Sequence, residues 1–290
     1  MHDVAFSRRD WLRSAAAIAG SAALSPDAAM AMNASAPGRL RQSVCRWPFG
    51  QVPLPEFAQK VKAMGIVAID LLVESEWPVV RDAGLVCSMV TPTTRNDFLA
   101  RGLNDRANHA LVLGELERAI EGAARFGWPN VICMPGNRNG KTDAEVVDTT
   151  VEGLRRIVPL AEERKVTIHL EMLNSRVDHV GFSMDTTALG AAIAVGVGSE
   201  RVKLLYDVYH MQIMEGDVIR TMATHAQHIG HVHTAGVPGR HEIDDAQELQ
   251  YPAIMRALAE RGFTGFVAHE FVPTGPWEPA LREAVQRCTV

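Results

Sequence analysis

Basic residues are in short supply in this chain of 290 residues: 29 Lys and Arg against 34 Asp and Glu leave a formal net charge of −5. A surface without a basic excess makes nucleic acid a poor partner. Long apolar runs are lacking too, so no segment spans a bilayer. Cysteine is scarce. Cys45, Cys87, Cys133 and Cys288 show no C-x-x-C spacing, which argues against a thiolate metal centre. Three of them sit inside separate apolar runs, where a small buried hydrophobe is the usual role. No Gly-x-Gly-x-x-Gly turn follows a candidate strand, so no dinucleotide crevice announces itself. What remains is an ordinary globular composition, 47% hydrophobic and 22% charged, at a length suited to one large α/β domain.

The N-terminus differs in kind. Ser7-Arg8-Arg9-Asp10-Trp11-Leu12-Arg13 leads into the weakly apolar Ala15–Leu24, and Ala29-Met30-Ala31 offers a small-x-small cleavage site. Charged, apolar and small segments in that order make a secretory signal, and the paired arginines resemble the twin-arginine export class. Residues 1–31 are therefore read as a signal, 32–42 as a linker and 43–290 as the folded domain. Export to the periplasm is the expected location.

From Ser43 onward, short apolar runs alternate with helical sequence. Strands are expected at Ser43–Phe49, Ile66–Val73, Leu85–Thr91, Val131–Pro135, Val166–Leu173, Val202–Tyr209, Ile229–Ala235 and Phe266–Val272. Between them, Val112, Leu116, Ala119, Ala123 and Phe126 make one helical stripe. Val147, Val151, Leu154, Val158 and Ala161 make another, which Pro159 should kink or interrupt. Gly65, Gly127 and Gly262 stand where helices should stop. Eight strands alternating with helices over about 250 residues is the arithmetic of a single (β/α)8 TIM barrel. An open doubly wound sheet is the alternative.

Four of these runs carry a metal-binding side chain near their C-terminal ends: Glu171, Asp207, His233 and Glu270. A charge at the end of a buried strand is costly unless paired or bound to a metal, and in a barrel the C-terminal strand ends meet at one mouth. Two Glu, one Asp and one His form a mostly hard-oxygen set, suited to Mn²⁺ or Mg²⁺, with Co²⁺ or Zn²⁺ admitted through the imidazole. His210, three residues past Asp207, is placed to contact substrate or metal from the rim. His231 shares the strand face of His233 and is read as a supporting group or substrate contact. His169 and His269 are read as structural, on the helix-facing side of their strands. Arg240, in the loop Gly236-Val237-Pro238-Gly239-Arg240, suits a substrate carboxylate or developing oxyanion. Its plainer reading is a pair with Glu242 or Asp244. Arg138 and Glu74 are weaker candidates at the same mouth.

Glu171-Met172-Leu173-Asn174, the string Asp207-Val208-Tyr209-His210-Met211-Gln212-Ile213-Met214-Glu215-Gly216-Asp217 and the segment Ile229 to Arg240 resemble the hydroxypyruvate isomerase family of xylose isomerase-like TIM barrels. The resemblance covers most of residues 43 to 273. It implies metal ligands at Glu171, Asp207, His233 and Glu270, a proton-transfer pair in Glu171 and Glu270, and substrate contacts from His210 and Arg240. The reaction implied is isomerisation of a small α-hydroxycarbonyl compound, of the hydroxypyruvate or tartronate semialdehyde type, through an enediolate. One departure is His233, where Gln is expected in hydroxypyruvate isomerases proper; histidine there is more like the ketose 3-epimerases, so epimerisation of a free sugar is the alternative. The segment from Arg240 to Leu249 and the export signal also depart from that family's usual pattern. A non-catalytic exported sugar-acid binding protein is a further alternative and predicts a missing ligand. A phosphodiesterase of the same barrel group would need more ligands and a positive groove. The partner expected is a small molecule, and a homo-oligomer is compatible with the sequence.

Overall fold

The computed structural model describes residues 40–290. The signal and most of the linker read from the sequence, residues 1–39, lie outside the described residues. Eight parallel strands close on one another in chain order: β1 Arg41–Cys45, β2 Ala68–Leu72, β3 Val86–Val90, β4 Asn130–Cys133, β5 Thr167–Glu171, β6 Val202–Asp207, β7 Ile229–Thr234 and β8 Phe266–His269. β8 returns to β1, with Arg41 opposite Phe266 and Val44 opposite His269. That closure sets aside the open-sheet alternative. β1 begins at Arg41 rather than Ser43, and Gln42 is already tied down: its amide donates to Val285 O (3.1 Å) and Thr289 Oγ1 (3.0 Å).

The ladders are shorter than the apolar runs that announced them. Trp47–Phe49 is a 3-10 turn rather than the end of β1, and Met172 and Leu173 lie beyond the end of β5. Apolarity reports burial, and Phe49, Met172 and Leu173 are all buried although none belongs to the ladder. The helix Asp143–Arg164 also departs from expectation, because it runs through Pro159 without a break. Val151, Leu154, Val158 and Ala161 bury one face along its length, and such packing holds a helix together across one missing hydrogen bond. Gly127 ends the helix His109–Phe126 in the left-handed conformation at φ 70°, which costs glycine nothing.

All four cysteines are free and buried. Among the described residues no helix is long and apolar enough to cross a membrane. Two register shifts position the site. The β2–β3 ladder slips on both sides of Asp70, and the β6–β7 ladder slips between Leu204 and Leu205, opposite Gly230.

Candidate active site

The C-terminal strand ends do converge. Glu171, Asp207, His233 and Glu270 each bring one donor atom to a common point, all within 4.8 Å of one another and all buried. Strand chemistry explains how each arrives. Glu171 and Asp207 are the last residues of β5 and β6. Asp207 also caps the helix Val208–Met214, its Oδ1 accepting from the backbone N–H of Tyr209 (2.7 Å) and His210 (3.2 Å). Its other oxygen is left without a partner. Glu270 follows β8, where its N–H still donates to Thr234 O at 2.9 Å. His233, one residue before the end of β7, turns Nδ1 toward Glu270 (2.9 Å) and Glu171 (3.2 Å).

Arg240 completes this layer. It donates to Glu270 Oε2 at 2.6 Å and lies 3.8 Å from Asp207 Oδ2, so the plainer pairing with Glu242 or Asp244 does not form. The loop fixes it through its own backbone: Arg240 N–H donates to Gly236 O (2.9 Å) and Val272 N–H to Arg240 O (2.7 Å). Its guanidinium lies 5.2 Å from the Trp47 ring centre, while Trp47 itself donates its indole N–H to Glu270 Oε1 at 2.7 Å.

His210 faces the same point with a defined tautomer. The Asn174 side-chain oxygen accepts from the N–H groups of Val177 (3.0 Å) and Asp178 (2.9 Å). Its amide nitrogen is thereby turned to His210 Nδ1, at 2.7 Å. Nδ1 accepts that bond, so the proton of the neutral ring resides on Nε2. Nε2 lies 3.7 Å from Asp207 Oδ2 and has no hydrogen-bond partner. Burial, assisted by the charge of Arg240, holds this histidine well below its usual range, so it is neutral.

Beneath this layer stands a residue that no motif or strand end announces. Asp70, on β2, is fully buried and accepts from Ser88 Oγ at 2.6 Å. Its oxygens stand 2.9 Å from His231 Nε2 and 3.1 Å from His233 Nε2. Burial alone would raise its pKa, but the two imidazoles outweigh that and hold it far below the carboxylate range. Asp70 thus fixes the ring of His233 from behind. Its only sequence signal was a lone acid within the apolar run Ile66–Val73.

The acids crowd one another. Burial, reinforced by the charge of Glu270, pushes Asp207 up to about 8. Burial also raises Glu171, again with Glu270 adding to it. Burial would raise Glu270 as well, yet Arg240 and His233 pull it well below the usual range. His233 loses by burial and gains more from Cys45, Glu270 and Asp70, ending well above the histidine range. The Cys45 thiol is itself driven far up by burial, so the charges that stabilise His233 are the two carboxylates.

The orphaned donor atoms are a fit test for a metal. Glu171 Oε1 and Asp207 Oδ2 are buried without hydrogen-bond partners, and the Nδ1 proton of His233 stands between Glu171 and Glu270. A divalent cation would take the place of that proton and satisfy the orphaned oxygens. Three carboxylates and one imidazole suit a hard cation.

Other expectations are corrected. Arg138 turns away from the cluster to Asp143 (2.5 Å) and Ser183 O (2.7 Å). Glu74 is exposed and lies 3.7 Å from Arg125. His231 is sealed below His233 against Asp70, so it supports the site and is not a substrate contact. His269 faces the helices as expected, with Nε2 2.9 Å from Gln42 Oε1. His169 does not. It lies two residues before Glu171, and the two-residue period of a strand turns it into the barrel, 5.9 Å from the His231 ring.

Above the acids opens a cavity of about 420 Å³ lined by Glu171, Glu270, Arg240, His179, Trp47 and a set of apolar side chains. A larger one, about 490 Å³, opens at the other end of the barrel around His169, Lys203 and Phe266. It holds none of the strand-end acids, two of which, Glu171 and Glu270, line the smaller cavity.

A family model described as "Xylose isomerase-like TIM barrel" matches residues 78–289. The chain belongs to that family. A human protein provisionally named hydroxypyruvate isomerase is 29% identical over 233 residues, 74% of this chain and 84% of that one. The 2-oxo-tetronate isomerase of Cupriavidus necator is 34% identical over 161 residues, 55% of this chain and 61% of its own. The Escherichia coli hydroxypyruvate isomerase is 30% identical over 165 residues, 57% and 63% of the two chains. Among solved structures, an AP endonuclease of family 2 from Brucella melitensis superposes with TM-score 0.76 at 22% identity, covering 83% of this chain and 97% of that chain. A D-psicose 3-epimerase superposes with TM-score 0.65 at 20% identity, covering 84% and 89%. The structural likenesses speak for the barrel fold, whereas the relatives in sequence bear out the expected hydroxypyruvate isomerase resemblance and the expectation of an isomerase.

Proposed function

We propose that the protein is a metal-dependent isomerase of an α-hydroxycarbonyl compound, of the hydroxypyruvate type, working through an enediolate. The observation that carries this reading is the convergence of Glu171, Asp207, His233 and Glu270 on one buried point beneath a cavity that Glu171 and Glu270 both line. A divalent cation, Mn²⁺ or Mg²⁺ on this donor set, would supply electrostatic stabilisation of the developing enediolate.

The protein's own groups do the rest. One of the pair Glu171 and Glu270 takes the proton from the carbon bearing the hydroxyl, and the C–H electron pair becomes the C=C bond of the enediolate. The other returns a proton to the neighbouring carbon while the hydroxyl proton passes between the two substrate oxygens, so atoms and charge balance. Arg240 and the Nε2–H of His210 stand ready to hold substrate oxygens. Return of the proton to the other face of the same carbon would be 3-epimerisation; His233 favours that second reading. The binding-protein alternative predicts a missing donor, and all four donors are present.

The test is NMR in D₂O with the Mg²⁺-loaded protein and hydroxypyruvate. Deuterium should enter the substrate carbon, and Glu171→Gln and Glu270→Gln should each abolish that entry in a folded protein. Full turnover in both variants would sink the proton-transfer pair. Export to the periplasm is proposed on residues 1–31 alone and is tested by fractionation of the full-length chain against an Arg8→Lys, Arg9→Lys variant.

A further inference from the structure

The lining of the cavity above the acids divides by strand: Glu171, Arg240 and Glu270 come from the end of β5, the loop after β7 and the residue after β8, whereas Leu71 and Val73 at β2, Phe98 and Leu99 after β3, and Ile132 and Met134 at β4 are apolar. At about 420 Å³ it falls within the range that encloses ligands of drug size, far more than a three-carbon acid fills. Among the lining residues from β2 to β4, Thr91 alone supplies a hydroxyl, and there is no Asn, Gln or acid. Arg138, the polar candidate from β4, is turned away to Asp143.

The wall is also built at a cost. Leu71 adopts φ 56°, in the left-handed region that a branched apolar residue rarely occupies, where the β2–β3 register slips between Asp70 and Leu72. A non-glycine residue stays in that region only where its surroundings over-determine it, and such residues cluster at functional sites. The distortion has two results. Asp70 points inward beneath His233, and Leu71 lines the cavity.

We infer that the substrate carries an apolar substituent, alkyl or aryl, beyond its reacting hydroxycarbonyl pair, and that the wall formed by Leu71, Phe98, Leu99 and Met134 binds it. A polyhydroxylated chain lying there would lose water from its hydroxyls without gaining partners, and hydroxyl recognition requires built hydrogen-bonding groups. The inference rests on the enediolate reading and narrows its substrate class away from free sugars.

A hydroxamate series separates the two. Hydroxamates R–CO–NHOH mimic the planar enediolate, and their affinity for the Mn²⁺-loaded protein can be measured by calorimetry with R running from methyl through propyl to heptyl, and with phenyl. Affinity should rise about fourfold per added methylene until the cavity is full, and a polyhydroxylated R of equal length should bind more weakly than the alkyl one. Phe98→Asn should shrink the ratio of long-chain to methyl affinity, a ratio within one protein that a general folding defect leaves alone. Metal-dependent binding of the methyl compound with no gain along the series overturns this inference and leaves the enediolate reading standing. Absence of binding by every member overturns both.

Discussion

Replacing Asp70 by Asn probes the part of the site that neither motif nor strand end announced. The carboxylate accepts from Ser88 Oγ at 2.6 Å and from His233 Nε2 at 3.1 Å, and His231 Nε2 stands 2.9 Å away. An amide offers one oxygen and one NH₂, so whichever way it turns, one of these donors meets another donor. The loss is that of one hydrogen bond to a charged group, about 1.5–3 kcal/mol. At about 1.4 kcal/mol per factor of ten, this corresponds to roughly 10- to 100-fold. It is the range by which outer partners of ligating histidines tune metal affinity. Asp70→Asn should therefore weaken Mn²⁺ binding about 10- to 100-fold, read from the free-ion EPR signal or by calorimetry, while circular dichroism stays native. A folded Asp70→Asn protein that binds Mn²⁺ within about twofold of wild type would refute the role given to Asp70.

Arg240→Ala removes the cation 2.6 Å from Glu270 and should lower kcat/KM by about 10²–10³, with Arg240→Lys recovering little because an ammonium lacks the planar fork; equal kinetics for all three proteins would remove Arg240 from the site. His169 and His269 are each held at about 3 by burial, with the charge of His231 adding to the effect on His169, against an unfolded value of about 6.5. The folded protein refuses protons that the unfolded chain accepts, so this stability is complete above about pH 6.5 and is lost as pH falls toward 3, at up to ~1.4 kcal/mol per pH unit for each histidine. Urea unfolding of the metal-free protein at pH 7, 6 and 5 should show that slope, and His269→Gln should flatten it; an unchanged slope contradicts the buried neutral histidine. A Cβ on Gly230 would lie 2.6 Å from His169 Nε2, so Gly230→Ala should cost about 1–3 kcal/mol by overpacking, and a Gly230→Ala protein as stable as wild type would contradict the inward placement of His169.

Much of the site was legible because strands have a period of two and barrels gather their C-terminal ends. Glu171, Asp207, His233 and Glu270 stand where those rules put them, within 4.8 Å of one another. The same period turns His169 inward rather than toward the helices, because it stands two residues before Glu171 on β5. Asp70 and Trp47 were not legible, for different reasons. Asp70 owes its role to a register slip in β2, which a pattern of apolar residues does not reveal. Trp47 reaches Glu270 across 223 positions, a contact that exists only because the barrel closes β8 onto β1.

Arg138 and Arg240 divide sequence from structure most plainly. Both are arginines in glycine-containing loops after barrel strands, and local chemistry alone made both candidates. Arg138 finds Asp143 five residues away, and a partner so close in the chain forms with little loss of chain entropy. Arg240 reaches Glu270 because its loop packs over β8. The sequence by itself determined the alternation of strands and helices, the barrel and the four donors at strand ends, since these follow from short-range periodicity. Only the tertiary structure decided which arginine serves the site, which histidines support it and what lines its apolar wall, because those depend on register and on which distant loops share one mouth.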